Sequence, residues 1–105
     1  RVAYSASKFA LNGLTQALAL EVAEHGITVN AVCPSRIESA MTDEIIRGRV
    51  EKSGNSFDDE MAKYQKTVPI GRLGRASDVA SLATYLASDE AEFINGQFMS
   101  TSGGR

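Results

Sequence analysis

Cysteine, histidine and tryptophan are nearly missing from this sequence of 105 residues, which has one cysteine, one histidine and no tryptophan. The single cysteine, Cys33, excludes an internal disulfide framework and a multi-cysteine zinc site, and we expect it to be a buried thiol. A single histidine likewise excludes a histidine-rich metal site. No run of about 18 apolar residues is present, and residues 1–25 carry polar and charged groups throughout, unlike a secretory signal. We therefore expect a cytoplasmic protein that does not insert into a membrane.

A strong excess of charge is also missing. The 11 Lys and Arg residues are balanced by 13 Asp and Glu residues, which gives a net charge of −2. Because a nucleic-acid-binding surface requires an excess of basic residues, nucleic acid is not an expected partner. The content of 43% hydrophobic and 23% charged residues is typical of a folded domain, and the length suits one domain.

The first third of the chain predicts a helix followed by a strand. Apolar and small residues recur at three- and four-residue steps over 3–24, which predicts a long amphipathic helix. Gly26 is a suitable stop for this helix, and the β-branched residues of 27–33 predict a strand that ends at Pro34. A helix that leads directly into an apolar strand is half of a parallel α/β unit.

The remaining segments predict two short helices, a connector, another helix and a last strand. We expect a loop over 35–42 and polar helices over 43–52 and 57–66. Their many charges and the break at Gly54 indicate a surface flap over 40–66 with few buried contacts. A turn-rich connector over 68–74, a helix over 78–88, a turn at Asn95 and Gly96, and a strand over 97–101 complete an α/β fold.

Tyr4 and Lys8 are the first candidates for chemistry. Four residues of helix rise about 6 Å and turn about 400°, so the two side chains share one helix face. A phenol is a poor acid–base catalyst at neutral pH, but a nearby ammonium favours its phenolate form. At a separation of about 5 Å this effect amounts to roughly 3 kcal/mol. The pair could therefore exchange a proton with an alcohol or carbonyl oxygen.

Two other interpretations of the same helix are considered. Ser5 and Lys8 also satisfy the S-x-x-K pattern of penicillin-recognising acyl-transfer enzymes, but the S-D-N and K-T-G elements of those enzymes are missing. An ordinary contact between Tyr4 and Lys8 on a solvated helix would leave a non-catalytic helix–strand interaction fragment. Cofactor-dependent carbonyl reduction distinguishes this alternative from an enzyme.

Four segments in order along the chain resemble the C-terminal part of a classical short-chain dehydrogenase/reductase. They are the Y-S-A-S-K of residues 4–8, the G-I-T-V-N-A-V-C-P of 26–34, the P-I-G-R-L-G-R of 69–75, and the closing region 86–104. The resemblance covers nearly the whole chain. It implies the C-terminal half of a doubly wound, Rossmann-like parallel sheet with a helical substrate flap over 40–66. It also implies reversible hydride transfer between NAD or NADP and a small-molecule carbonyl or alcohol, in a homodimer or homotetramer.

The resemblance assigns roles residue by residue. Tyr4 would be the general acid or base, while Lys8 would favour its phenolate form and hold the nicotinamide ribose. The cofactor-binding residues would be Tyr4, Lys8, Pro34, Ser35, Ile37 and Ser39, with no metal. Ser35 replaces the family's usual glycine, so a positive φ there would be strained.

The family's glycine-rich cofactor turn and catalytic serine precede the tyrosine, and this sequence begins three residues before Tyr4. We therefore expect the chain to be part of a single, longer catalytic domain and to be inactive by itself. Neither the preference for NAD or NADP nor the identity of the substrate follows from these residues.

Overall fold

The computed structural model describes residues 2–105. The elements in chain order are α1 (Val2–Val22), a 3₁₀ turn (Ala23–His25), β1 (Ala31–Pro34), α2 (Ala40–Ser53), α3 (Phe57–Gln65), α4 (Ala76–Leu86), a second 3₁₀ turn (Asp89–Ala91) and β2 (Phe98–Thr101). The chain divides into two compact units. The first holds the described residues up to Cys33 together with Ala80–Ser100, and the second holds Pro34–Val79 with Thr101–Arg105.

In the first unit, the end of α1 packs on the turn at Asn95. Ala19 is buried, its carbonyl accepts a hydrogen bond from Asn95 Nδ2 at 3.2 Å, and Gly96 lies beside its methyl group. Gly26 has a φ of 71° and ends the helical region, as the sequence predicts. The predicted helix over 3–24 is confirmed, with its last turn in 3₁₀ form.

The strand prediction over 27–33 is wrong at its start, because β1 begins at Ala31. Val29 N–H donates to the side-chain oxygen of Asn95 at 2.8 Å, and Val29 carbonyl accepts from Gly96 N–H at 2.8 Å. Asn30 donates its side-chain amide to Ile94 carbonyl. These bonds to a turn replace the regular ladder that β-branched residues would otherwise form.

β1 and β2 form a two-stranded parallel sheet. Ala31 N–H donates to Gln97 carbonyl at 2.8 Å, and Ser35 N–H donates to Thr101 carbonyl at 3.2 Å. Donor and acceptor positions rise together along the chain, which is the parallel pattern. Cys33 is exposed, so the expectation of a buried thiol is wrong. Among the described residues β2 is the one strand paired with β1.

In the second unit, serine side chains start both helices of the predicted flap. Ser39 Oγ accepts from Thr42 N–H at 3.2 Å, so α2 begins at Ala40 instead of the predicted residue 43. Ser56 Oγ accepts from Asp59 N–H at 3.1 Å and starts α3 at the predicted position. The break between them, at Gly54 with a φ of 72°, is also confirmed.

The expectation of few buried contacts in residues 40–66 is wrong. Ile46 of α2 and Tyr64 of α3 form a buried cluster with Val68 and Leu73 of the connector. Each helix carries many polar side chains, and Ile46 and Tyr64 lie on the faces that pack into this cluster.

A buried carboxylate holds the junction of α2 and α3. Glu60 accepts hydrogen bonds from Asn55 Nδ2 at 2.7 Å, Ser53 Oγ at 2.9 Å and Lys63 Nζ at 3.2 Å. The Asn55 bond, followed by the Ser53 bond, holds the pKa of Glu60 below its usual value of 4.5. The predicted break at Gly54 is therefore a hydrogen-bonded junction.

Replacing Ile46 with alanine tests this core. Ile46 is 0% exposed, and we expect Ile46→Ala to lower the free energy of unfolding by about 3 kcal/mol, because it leaves a cavity. Ile45 is the neighbouring residue at 43% exposure, and we expect Ile45→Ala to cost less than about 1 kcal/mol. Urea unfolding of the intact protein, followed by circular dichroism, measures both, and equal losses would contradict the assignment of the core.

The start of α4 depends on Asp78. Its carboxylate accepts from Arg75 N–H at 2.8 Å, so the helix begins at Ala76 rather than at the predicted residue 78. The same carboxylate pairs with both terminal nitrogens of Arg72, at 2.7 and 3.1 Å. The Arg72 hydrogen bond first, and the Arg75 N–H second, lower the pKa of Asp78 from 3.8 to about 2.

This lowered pKa predicts a pH dependence of stability. Because the folded protein favours the ionised form, Asp78 stabilises the fold above pH 3.8, and this stabilisation disappears as the pH falls towards about 2. We expect Asp78→Asn to reduce stability at neutral pH, and the difference from the unchanged protein to close over this range. Glu51→Gln, at an exposed site on α2, is the control. Urea midpoints measured against pH decide, and a constant difference would contradict the account.

Gly103 closes the second unit at a φ of 62°. Its carbonyl accepts from Ile70 N–H at 3.1 Å, and a Cβ placed on it would lie 2.7 Å from Val68 Cγ1. The closing turn therefore packs directly on the connector 68–74.

None of the helices described between residues 2 and 105 combines the length and the hydrophobicity that a membrane span requires.

Candidate active site

Tyr4 and Lys8 lie one turn apart in the first half of α1, as their spacing predicts. Lys8 Nζ is 5.6 Å from the centroid of the Tyr4 ring. The Tyr4 side chain is 66% exposed, and Lys8 is also exposed. Within residues 2–105 the ion pairs involve other side chains, so the ammonium is available to the phenol and to a ligand together.

The rival S-x-x-K pair receives no support from this helix. Ser5 makes no hydrogen bond with Lys8 among the described residues, whereas Ser7 Oγ donates to Tyr4 carbonyl at 2.8 Å. An acyl-transfer serine requires its lysine within hydrogen-bond reach.

A shallow apolar cavity of about 400 Å³ lies on another side of the same helix, lined by Val2, Ser5, Ala6 and Phe9. At about 100° per residue, its centre is roughly 130° around the helix from the Tyr4–Lys8 face. This cavity is therefore separate from the Tyr4 phenol.

The predicted cofactor loop follows β1 and belongs to the second unit. Pro34 is the last residue of β1, and Ser35 N–H donates to Thr101 carbonyl. The left-handed residue of the loop is Arg36, with a φ of 56°, and not Ser35. Serine in place of the usual glycine is therefore accommodated without a positive φ at that position.

Ile37 is held by Gly74 of the connector. Glu38 N–H donates to Gly74 carbonyl at 2.8 Å, and Gly74 N–H donates to Arg36 carbonyl at 2.9 Å, which makes a parallel bridge at Ile37. In such a bridge the N–H of the central residue points away from the partner chain. A Cβ on Gly74 would collide with Ile37 Cδ1, so a larger residue there would require the end of the Ile37 side chain to move.

Ser39 has a structural partner that the sequence did not indicate. Its hydroxyl donates to Thr42 Oγ1 at 3.3 Å and accepts from Thr42 N–H, while Thr42 Oγ1 donates to Ile37 carbonyl at 2.6 Å. Thr42 is buried and ties the loop to α2. Ser39 keeps one lone pair for a further donor.

Arg36 and Tyr64 form a contact that sequence reasoning missed. The Arg36 guanidinium carbon lies 3.9 Å from the centroid of the buried Tyr64 ring, and that of Arg49 lies 5.0 Å from it. Arg36 and Tyr64 are 28 positions apart, and no periodic pattern links a loop arginine to a helix tyrosine.

Comparisons with known proteins identify the family. A family model described as enoyl-(acyl carrier protein) reductase matches residues 1–105. A solved structure described as a short-chain dehydrogenase family protein from Francisella tularensis matches with a TM-score of 0.90 and 32% identity, covering 97% of this chain and 42% of that one. The chain belongs to the short-chain dehydrogenase/reductase family. The predicted family and the α/β fold class of a Rossmann-type protein are confirmed.

Two further members of the short-chain dehydrogenase/reductase family carry informative names. 3-Oxoacyl-[acyl-carrier-protein] reductase FabG of Salmonella typhimurium is 43% identical over 101 residues, which is 96% of this chain and 37% of that protein. An actinorhodin polyketide ketoreductase solved with NADPH has 38% identity and a TM-score of 0.88, covering 96% of this chain and 39% of that one. The chain thus spans less than half the length of the relatives it matches.

Proposed function

We propose that the intact protein is an NAD(P)-dependent oxidoreductase that interconverts a carbonyl and an alcohol by hydride transfer. The observation that carries this proposal is the exposed Tyr4 phenol with the Lys8 ammonium 5.6 Å from its ring. The names of the oxoacyl reductase and of the ketoreductase solved with NADPH support the same reaction.

The residues present fit a nicotinamide cofactor. Lys8 offers an ammonium without an ion-pair partner among the described residues, suited to ribose hydroxyls, and Ile37 offers an N–H that points away from Gly74. We propose that these two groups hold the ribose and the carboxamide, together with Tyr4, Pro34, Ser35 and Ser39. The bound nicotinamide supplies or accepts the hydride.

Tyr4 handles the proton. In reduction, its hydroxyl donates a proton to the substrate oxygen as that oxygen becomes an alcohol, and the phenolate that remains is stabilised by the positive charge of Lys8. In oxidation, the phenolate takes the proton back from the alcohol. Proton transfer of this kind contributes about 10²–10⁴ in rate.

Oxidation of NADPH and of NADH by the intact protein tests the proposal. The probes are an acetoacetyl thioester, a simple ketone and a crotonyl thioester. We expect turnover with at least one carbonyl probe. Turnover with the crotonyl thioester alone would indicate reduction of a carbon–carbon double bond. No oxidation of either cofactor would favour the alternative of a non-catalytic interaction fragment.

We further propose that residues 40–66 form the substrate flap of a single catalytic domain. The buried positions of Ile46 and Tyr64 predict slow amide exchange there in the free protein. With NADPH and a carbonyl substrate both bound, we expect the remaining amides of 40–66 to exchange at least about threefold more slowly. Hydrogen-exchange mass spectrometry measures this, and unchanged exchange would show a fixed insert with no ligand contact.

We also propose assembly into a homodimer or homotetramer through α1. Large apolar side chains are exposed on this helix, among them Phe9, Leu14 and Leu20. Large apolar side chains exposed in this way are costly to leave in water. Light scattering of the intact protein measures the assembly, and a monomer at micromolar concentration would contradict it.

A further inference from the structure

The loop of residues 34–39 is attached to the second unit at three points. Gly74 binds its backbone through two hydrogen bonds, Thr42 Oγ1 binds Ile37 carbonyl, and the Tyr64 ring receives the Arg36 guanidinium. The first two attachments use polar groups close to Ile37. The third uses a side-chain contact with a core aromatic residue, and it acts on the one residue of the loop with an unusual backbone conformation.

Arg36 has a left-handed φ of 56°, the only positive φ at a described residue other than glycine. A side chain with a Cβ disfavours this conformation, so surrounding contacts must hold it in place. In this conformation the Arg36 carbonyl points to Gly74 N–H. Because successive backbone groups point to opposite sides of an extended chain, Ile37 N–H then points away from Gly74. The backbone of Arg36 therefore determines where the Ile37 donor is aimed.

The Tyr64 ring is a firm support for Arg36. Its side chain is 4% exposed and packs among Ile46, Val68 and Leu73. A guanidinium 3.9 Å from a ring centroid is well inside the range of cation–π attraction, which strengthens when water is excluded. Among the described residues no carboxylate forms an ion pair with Arg36. Its guanidinium instead interacts with the Tyr64 ring.

We propose that Tyr64 is a positioning residue for the cofactor loop: its ring holds the Arg36 guanidinium, keeps Arg36 left-handed, and thereby aims the Ile37 N–H at the nicotinamide carboxamide. The last part of this proposal rests on the proposed function. The first part concerns the loop alone and is tested without any ligand.

Arg49 provides a matched control. Its guanidinium carbon lies 5.0 Å from the same ring but comes from α2, outside the loop. Arg36→Met and Arg49→Met each remove one guanidinium group that lies over the Tyr64 ring, and each leaves an unbranched side chain of similar length. Only the first removes the anchor of the left-handed residue. Tyr64→Phe keeps the ring, and Tyr64→Leu removes it.

The ligand-free arm measures exchange of the Glu38 and Gly74 amides, whose hydrogen bonds close the bridge at Ile37, in the intact protein. We expect Arg36→Met and Tyr64→Leu to speed exchange of these amides by about tenfold, with Arg49→Met and Tyr64→Phe within about twofold of the unchanged protein. Should Tyr64→Leu not fold, Arg36→Met decides. Exchange in Arg36→Met equal to that in Arg49→Met would overturn the positioning role.

The second arm titrates NADPH, and separately NADH, by cofactor fluorescence. We expect Arg36→Met to weaken binding about tenfold and Arg49→Met by less than about twofold. Faster exchange with unchanged cofactor binding would overturn the link from Tyr64 to the cofactor. If the unchanged protein binds neither cofactor, the proposed function fails, while the exchange arm still decides whether Tyr64 positions the loop.

Discussion

We expect Tyr4→Phe to lower kcat of the intact protein by about 10² or more, while the dissociation constant for NADPH or NADH changes by less than about threefold. The substitution removes one hydroxyl and keeps the ring. Because Tyr4 is 66% exposed on the first turn of α1, the loss of its hydroxyl costs little packing. The effect therefore falls on proton transfer to the substrate oxygen, and kcat/KM falls with kcat.

Tyr85→Phe is the matched control for this prediction. Tyr85 lies on α4 and is also partly exposed, at 40%, and we assign it no chemical role. Steady-state kinetics with one carbonyl probe and saturating cofactor measure both variants. A Tyr4→Phe protein with activity within about threefold of the unchanged protein would remove Tyr4 as the acid–base residue.

We expect Lys8→Ala to reduce both kcat and cofactor affinity, each by about tenfold or more. One ammonium serves two purposes in the proposed site, since it stabilises the phenolate of Tyr4 and binds the cofactor ribose. Loss of the charge therefore affects the rate and the binding together, unlike the loss of the Tyr4 hydroxyl.

Lys52→Ala controls for the loss of an exposed lysine, because Lys52 lies in the last turn of α2. Cofactor titration and turnover are measured on the same preparations. Normal cofactor affinity in Lys8→Ala would contradict the dual role of this residue, even where the rate falls.

Local patterns predicted the helices and the Tyr4–Lys8 pair well. The apolar spacing of 3–24 and Gly26 give α1 and its end, and the i,i+4 spacing alone places Lys8 beside the Tyr4 ring. These features depend on residues within a turn or two of each other, so a single sequence contains the information that determines them.

Features set by distant residues could not be predicted. The β-branched segment 27–30 reads as a strand, yet Asn95 and Gly96 take its hydrogen bonds from some 66 positions away. Likewise, the charges of α2 and α3 suggested a solvated flap, while Ile46 and Tyr64 pack into a core with the connector. The hydrophobic pattern and composition of a segment indicate its preferred secondary structure, but they do not indicate which distant segment it packs against.

The predicted cofactor loop, residues 34–39, shows the same limit. The resemblance to the family pointed to Pro34, Ser35, Ile37 and Ser39. The residue that takes the left-handed conformation is Arg36, and the contact that supports it comes from Tyr64. Tertiary contacts hold a residue other than glycine in the left-handed conformation. A sequence indicates a left-handed position only when glycine occupies it.

The most direct test of the proposed reaction follows the hydride itself. The intact protein is incubated with an acetoacetyl thioester and NADPH that carries deuterium at the transferable position of the nicotinamide, and the product is analysed by mass spectrometry. Direct hydride transfer predicts a 3-hydroxyacyl product with one deuterium on the new alcohol carbon, formed far more slowly by Tyr4→Phe. An alcohol product without deuterium, or equal rates for the two proteins, would contradict the account.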